Sequence, residues 1–476
     1  MLLIIYSIAS SRKISLYEKM IQINTNFIPN IPGTYIVGGT VRDILLGIPP
    51  KDYDIVTLGD PAALADRIAA NSNGKVIKLG KPGITIFRII SQSQAFDVAP
   101  VAGITIESDL KKRDFTINAL AIDVSTGRII DIFNGVEDLK KKKIRMISSE
   151  NFKADPIRLL RAYRLGAFLN FSIDQKTGSA IKDVSFRIAE SAGERIRDEL
   201  IKLFNTSCSY QYILMMNETG LLTHLFPELK ALKNCSQNKY HTYDVFDHTL
   251  KAYAFLENLI HAPGLILNKF EELENFLSKS KQNTLLKHAI LLHDIGKPSA
   301  RSVDKNGLVH FYAHEKISAD MAVKINKRLR FSNQEQLYVD FIIRNHLNPL
   351  SLFTAYQKNR LSPKAITRFF FKSGDMTADL FVHTIADIYG KGIEKNTNAF
   401  VEFTNHMIHT YLNKFVPRAS NPPLINGHDL INEFGLTPSP IFAKILGHVK
   451  EEQIAGNIKN RNEALSLAKK FLNNPS

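Results

Sequence analysis

Gly38-Gly39 separates a short β-type run, residues 35–37, from a helical pattern, residues 41–46, and Asp52-Tyr53-Asp54 then opens a second β-type run. A strand that turns at once into a helix needs glycine's backbone freedom. The turn also brings N–H groups to the helix start, where an anion is welcome, and Arg42 adds a fixed positive charge there. On a strand the two-residue period points Asp52 and Asp54 to one face. Two like charges so placed repel and raise a pKa unless a cation joins them. A plain turn followed by two solvated acids is the other reading of the same residues.

Further β-type runs at residues 53–57, 84–90, 95–98 and 119–124, with a helical pattern at 61–70, predict an α/β head over 26–147. After Ile147 the β signal disappears, and residues 156–169, 194–204 and 285–293 carry apolar side chains at helical spacing. Polar stretches at 233–239 and 390–397 divide this helical remainder into a neck at 148–235, a second helical domain at 236–390 and a tail at 391–476. In the tail, Asn421-Pro422-Pro423 breaks the chain before a final helical segment that contains Leu436-Thr437-Pro438-Ser439-Pro440. The fold class is therefore α+β, an α/β head followed by all-α domains.

Lys and Arg total 61 against 46 Asp and Glu, a net charge of +15 that favours a polyanionic partner such as nucleic acid. No apolar run approaches the roughly 18 residues that span a bilayer, so no membrane is expected. The apolar start Met1-Leu2-Leu3-Ile4-Ile5-Tyr6 precedes the charges Arg12 and Lys13, the wrong order for a secretory signal. With only Cys208 and Cys235, neither a disulfide framework nor a Cys-rich zinc site is available, and a reducing cytoplasm is expected.

Within the head, Asp97 in Ala95-Phe96-Asp97-Val98 is the candidate third acid, from a neighbouring strand; a strand-end acid capping a turn is the alternative. Lys112-Arg113-Asp114-Phe115-Thr116-Ile117-Asn118-Ala119-Leu120 joins two cations to a possible helix cap at Asp114 and to Asn118, a polar residue that needs a partner among apolar neighbours. Farther on, Asp155-Pro156-Ile157-Arg158-Leu159-Leu160-Arg161-Ala162-Tyr163-Arg164 starts a helix with Arg at every third position. A carboxylate beside an Arg fork matches the hydrogen-bonding edge of a nucleobase; a helix-start salt bridge is the plainer reading.

Gly-Gly-x-Val-Arg-Asp, Asp-x-Asp and Arg-Asp-Phe-Thr-Ile-Asn-Ala, in this order, resemble the class II tRNA nucleotidyltransferase and bacterial poly(A) polymerase family. The resemblance implies a polymerase-beta-like head in which Gly38, Gly39, Arg42 and Asp43 line the nucleoside triphosphate site. Asp52 and Asp54, with Asp97 as third acid, would be catalytic, Asp52 and Asp54 holding Mg²⁺. Arg113, Asp114 and Asn118 would organise ribose and triphosphate. Lys112 stands where the family usually has Arg, keeping the charge but losing the planar fork. Asp155 and Arg158 match the base-selecting motif Glu-Asp-x-x-Arg, with Arg161 and Arg164 continuing the nucleotide site, but Ala154 replaces the usual Glu. Glu194-Arg195-Ile196-Arg197-Asp198-Glu199-Leu200 resembles a later neck helix of the family; a solvated amphipathic helix reads the same way.

A second set, His248, His293-Asp294, His314, His346 and Asp387, resembles the HD superfamily of metal-dependent phosphohydrolases. It implies a divalent ion of unspecified identity on His248, His293, Asp294 and Asp387, with His314 and His346 completing a second metal site or contacting phosphate. A helical domain that positions RNA without hydrolysing anything is the alternative. Together the resemblances imply an enzyme that adds CCA, or part of it, to the tRNA 3′ end from CTP and ATP without a template, releasing pyrophosphate. An A-adding enzyme or poly(A) polymerase is the alternative within the family, and a metal-dependent phosphohydrolase the alternative outside it. The neck would bind RNA; the oligomeric state is left open.

Overall fold

The β-type runs of the head assemble into one seven-stranded sheet in the order β3-β4-β5-β2-β1-β6-β7. Its strands are β1 (Thr34–Val37), β2 (Asp52–Thr57), β3 (Lys75–Lys81), β4 (Ile84–Ile90), β5 (Ala95–Pro100), β6 (Leu120–Asp123) and β7 (Ile129–Asp131). Neighbours run antiparallel except β2 and β5, which are parallel and bring Asp54 level with Asp97. A computed structural model describes residues 27–50, 52–81, 84–92, 94–237, 243–264, 275–276, 282–392 and 397–473, so the apolar start and Arg12 and Lys13 lie outside it. The expected boundaries near 233–239 and 390–397 fall partly outside it too.

Two strands lack the expected signal for physical reasons. β3 is an edge strand that carries Lys75, Lys78, Gly80 and Lys81, the charged composition by which an edge avoids further pairing. β7 has only three residues, too short for an alternation to register. Strand pairing also continues past Ile147: β8 (Lys143–Ile144) pairs with β9 (Ser172–Ile173), and β10 (Arg301–Val303) with β11 (Val309–Phe311). The second pair closes through Asp304, whose carboxylate accepts from the N–H groups of Asn306 and Leu308, at 2.9 Å each.

The chain divides into two compact units, one ending at Leu225 and the other beginning at Phe226. In the first, α1 (Gly39–Leu45) follows the glycine turn, and α2 (Pro61–Ser72) starts on Asp60, whose side chain accepts from the Ala62 N–H at 2.8 Å. Helices α3 (Ile157–Leu169) and α4 (Gly193–Phe204) follow the sheet. Ile157, Leu159, Leu160 and Tyr163 of α3 are buried, which leaves Arg158, Arg161 and Arg164 on its other side.

The second unit is helical. Its core includes α5 (Val245–His261), α6 (Asn283–Leu292), α7 (His314–Arg328), α8 (Asn333–Asn345) and α9 (Thr377–Gly390). Helix α9 is buried along nearly its whole length, including His383, Thr384 and Asp387. Three last helices, α10 (Gly427–Phe434), α11 (Pro440–Ala455) and α12 (Arg461–Asn473), enclose a separate apolar cluster around Leu430, Ile445, Val449 and Ala464. Leu436–Ser439 was expected within a helical segment, but Gly435 caps α10 in the left-handed region at φ 66° and α11 restarts at Pro440. Among the described residues no helix is long and apolar enough to cross a membrane.

Helices α5 and α9 meet at Gly390. A Cβ there would stand 2.8 Å from the Ala252 N and 2.9 Å from its Cα, and backbone cannot step aside as a flexible side chain can. Gly447, in α11, faces open space. Gly390→Ala is therefore expected to destabilise the second unit by about 1–3 kcal/mol through overpacking. Gly447→Ala should instead stabilise it by about 0.5–1 kcal/mol through helix propensity. Thermal unfolding of the two variants checks the opposite signs.

Candidate active site and metal centre

Gly38 adopts φ 71°, and a Cβ on it would lie 2.5 Å from Arg113 Nη1 and 3.6 Å from Asp54 Oδ2. Glycine is thus required both by the backbone and by the side chains that close over it. One residue past the turn, the Thr40 hydroxyl donates to the Asp52 carbonyl at 3.1 Å and accepts from the Asp54 N–H at 2.9 Å. That double bond ties the start of α1 to the strand carrying the paired acids. Asp52 and Asp54 both point to the exposed face of β2 while Tyr53 and Ile55 are buried, the alternation expected of a strand.

Asp54 opens on the cleft but has protein around it, and this desolvation raises its pKa. The neighbouring carboxylates of Asp97 and Asp52 push in the same direction, against Arg113 and Arg42. Crowded like charges of this kind suit a cation, so the head donor set fits Mg²⁺. Asp97 lies beside Asp54 in the sheet, not at a turn. Its two oxygens are engaged by Arg88, which donates from Nε at 2.8 Å and from Nη2 at 2.6 Å.

Behind this face runs a chain of hydrogen bonds through Arg42, Asn118, Asp114 and Arg161. Arg42 Nη1 donates to Asn118 Oδ1 at 2.8 Å, and the Asn118 amide donates to Asp114 Oδ1 at 2.9 Å. Arg161 Nη1 donates to Asp114 Oδ2 at 3.0 Å. Asn118 thus has the partners its buried position requires. Asp114, considered above as a helix cap, is instead the buried acceptor of this chain, receiving also the Phe115 N–H at 2.8 Å. Burial alone would raise the Asp114 carboxyl, but Arg161, Asn118 and the Phe115 N–H outweigh it and hold it below its ordinary value. Arg42 also pairs with Asp43, 2.7 Å away.

Gly38, Gly39, Arg42, Asp54, Lys112, Arg113, Asp114 and Asn118, together with Arg158, Arg161 and Arg164, line one cleft of about 540 Å³. Cations predominate among the charged side chains, a lining that suits a polyanion. Arg113 is braced by Asp109, 2.9 Å away, and Lys112 Nζ donates to the Ala102 carbonyl at 2.8 Å. Asp155 is drawn elsewhere: Arg195 grips it with two bonds of 2.9 Å, and Arg158 Nε stands 3.7 Å from it. Arg158 Nη1 donates instead to the Lys112 carbonyl at 2.8 Å. Helix α3 takes Pro156, not Asp155, as its N-cap.

Sequence reasoning placed Arg195 and Glu199 only within a stretch resembling a neck helix, without a role of their own, and did not reach Asp109 or Lys202. Glu199 accepts from Arg161 Nε at 3.2 Å and from Arg164 Nε at 2.8 Å, so one buried carboxylate aims two guanidiniums. The available signal was the four-residue spacing of Arg195 and Glu199, which puts both on the face of α4 that meets α3.

In the second unit α5 supplies His248, the end of α6 supplies His293-Asp294, and α9 supplies Asp387. His248 Nε2 lies 2.9 Å from Asp387 Oδ1, and His293 Nε2 lies 3.1 Å from Asp294 Oδ2. One ligand atom from each of the four falls within 4.8 Å of all the others, and Asp294, His314 and His346 form a second such group. Nδ1 of His293, His314 and His346 sits 2.7, 2.8 and 2.6 Å from the carbonyls of Ile290, Phe311 and Ile343. A carbonyl only accepts, so each Nδ1 carries a proton and each Nε2 points inward, its lone pair open to a cation once any proton there is displaced. Lone pairs facing carboxylates in a buried pocket fit a divalent cation. Burial would lower His293, yet Asp294 and Asp387 pull it up to about 10, the mark of a field that favours positive charge. Lys297, within the Gly296-Lys297-Pro298 stretch that also resembles the HD superfamily, places Nζ 2.7 Å from Asp294 Oδ2; His383, which lies among these rings, was not anticipated.

A nucleotidyltransferase head and an HD-type centre on one chain define a class, and comparison with known proteins narrows it. The model described as Poly A polymerase head domain matches residues 34–145, the HD domain model 245–368, and tRNA nucleotidyltransferase domain 2 residues 310–468. The CCA-adding enzyme of Ligilactobacillus salivarius is 30% identical over 92% of this chain and 92% of its own. The A-adding tRNA nucleotidyltransferase of Deinococcus radiodurans is 29% identical over 93% of this chain and 96% of its own. Among solved structures, the Thermotoga maritima CCA-adding enzyme complexed with tRNA matches with a TM-score of 0.58 at 22% identity, covering 92% of this chain and 91% of that one. The chain belongs to the tRNA nucleotidyltransferase and poly(A) polymerase family, with an HD domain, and is a nucleotidyltransferase.

Glu199→Ala would leave Arg161 and Arg164 without their shared acceptor. The expected cost is about 1–3 kcal/mol of stability, with Glu199→Gln intermediate. Activity should fall further than stability predicts, because both guanidiniums lose their aim into the cleft; nucleotide-binding titrations beside thermal unfolding check this.

Proposed function

We propose that this enzyme adds CCA, or part of it, to the 3′ end of tRNA from CTP and ATP, without a nucleic-acid template and with release of pyrophosphate. The observation that carries the reading is the single cleft in which Gly38, Asp54, Arg113, Asn118 and the α3 arginines meet. Asp52 and Asp54 would hold two Mg²⁺ ions, which when bound activate the 3′-hydroxyl and neutralise charge on the leaving pyrophosphate. Arg42, Lys112 and Arg113 orient the triphosphate, and the N–H groups after Gly38 approach it. Asp114 and Asn118 hold Arg42 and Arg161 in place and organise the ribose. Asp97, beside Asp54 and paired to Arg88, sets the charge of the acidic face. Asp155, which keeps a lone pair on each oxygen beyond its bonds to Arg195, would offer the incoming base an acceptor, and Arg158 beside it a donor fork. The basic excess supports binding of tRNA through phosphates and shape, in the cytoplasm.

A-only addition is a second reading, left open by Ala154 in place of the usual Glu and favoured by the likeness to an A-adding relative. Purified protein given tRNAs that end before C74, C75 or A76, one nucleotide at a time, separates the two. Incorporation of CMP and then AMP is expected; no CMP incorporation overturns full CCA addition. Asp52→Ala is expected to lower extension by about 10³-fold or more, and undiminished extension would overturn the assignment of the paired acids.

For the second unit we propose a metal-dependent phosphohydrolase centre in which His248, His293, Asp294 and Asp387 hold a divalent ion, with His314 and His346 completing a second position or contacting phosphate. Such an ion would polarise a phosphate ester and lower the pKa of water. His293→Ala is expected to weaken Mn²⁺ binding to the full chain by at least about tenfold. It should also abolish phosphatase activity while tRNA extension continues. Unchanged phosphatase activity would sink the assignment.

A further inference from the structure

His383 is fully buried on α9, one helical turn before Asp387. Its ring centroid lies 5.2 Å from that of His293 and 5.5 Å from that of His346. Neither of its ring nitrogens meets a hydrogen-bond partner among the described residues. Three neighbouring imidazoles differ on this point: His293, His314 and His346 each anchor Nδ1 on a backbone carbonyl three residues earlier. An imidazole buried with both nitrogens unanswered costs free energy that a leucine of similar size would avoid. That cost is understandable where the missing partner is a ligand.

His383 does not belong to either convergent group of ligand atoms. It stands beside both, next to one histidine from each. This position suits contact with what the ion carries more than contact with the ion itself. Ions held by three or four protein ligands keep positions open for oxygen donors. An imidazole nitrogen hydrogen-bonds such an oxygen well, as acceptor toward water and as donor toward a phosphoryl oxygen.

We propose that His383 is a positioning residue of the HD centre that hydrogen-bonds an oxygen presented by the bound ion, water in the resting protein and a phosphoryl oxygen when phosphate binds. The proposal rests on the metal-centre reading above. It adds a residue from α9 that acts beside both groups of ligand atoms, and it explains why a histidine with unanswered nitrogens is buried among Phe381, Val382 and Ile385 of the same helix.

The test uses the full chain, with Mn²⁺ and inorganic phosphate as probes. Wild type, His383→Leu and His383→Gln are first titrated with Mn²⁺, and the loaded proteins are then titrated with phosphate. His383→Leu is expected to keep the wild-type Mn²⁺ stoichiometry, to melt no earlier than wild type without metal, and to bind phosphate about tenfold more weakly. His383→Gln, which restores a donor, should recover part of the phosphate affinity, and it carries the test if the leucine variant fails to fold. Phosphate affinity within about twofold of wild type in both variants would overturn the proposal and leave His383 a packing residue. Loss of an equivalent of Mn²⁺ would overturn it in favour of direct ligation. A wild-type chain that binds no Mn²⁺ would overturn the metal-centre reading itself, a result the first titration separates from the others.

Discussion

Carboxylates gathered on one face repel each other, and a protein keeps them together only when the surrounding structure leaves them no alternative. In the head that constraint falls on β2. The Thr40 hydroxyl bonds to the backbone on both sides of Tyr53, and Tyr53 itself is buried against Phe96, so the strand cannot rotate its acids apart. Asp97 in the adjacent strand adds to the repulsion, and Arg88 partly answers it. The glycine turn, the polar chain from Arg42 to Arg161 and the α3 arginines are arranged around this acidic face.

The second unit meets the same constraint by different means. Asp294 and Asp387 come from separate helices and are held together by packing, with α5 and α9 in backbone contact at Gly390. Histidines supply the remaining donors, and backbone carbonyls decide which of their nitrogens face inward. The head displays its acids on the exposed face of a central strand, with Asp54 open to a cleft, whereas the second centre buries them among helices. That contrast suits the proposed roles, an RNA 3′ end at the open cleft and a small phosphate at the buried centre.

Much of the first site was legible because its residues lie close together in sequence and obey local rules. The two-residue period put Asp52 and Asp54 on one side, and a strand followed by Gly38-Gly39 marked the turn. The Arg158, Arg161 and Arg164 spacing announced a basic helix face. Less legible were residues whose importance depends on a distant partner. Glu199 reads as one more acid on an amphipathic helix until α4 meets α3 and it joins two arginines. Arg88 reads as a strand residue until β4 pairs with β5. Asp155 reads as an acid paired only with Arg158 until Arg195 closes on it.

The sequence by itself determined the α/β head, the helical remainder, the pairing of Asp52 with Asp54 and the histidines and aspartates that make an HD-type set, because each is a short-range pattern in which spacing alone sets direction. Only the tertiary structure decided which acids are answered by cations, that Asp114 accepts inside the core instead of capping a helix, that the edge strand β3 forms where lysines obscure the alternation, and that His383 is buried beside the rings of His293 and His346. Those outcomes depend on burial and on contacts between residues far apart in the chain, where the cost of an unpaired charge or an unanswered imidazole is set by neighbours that spacing cannot reveal.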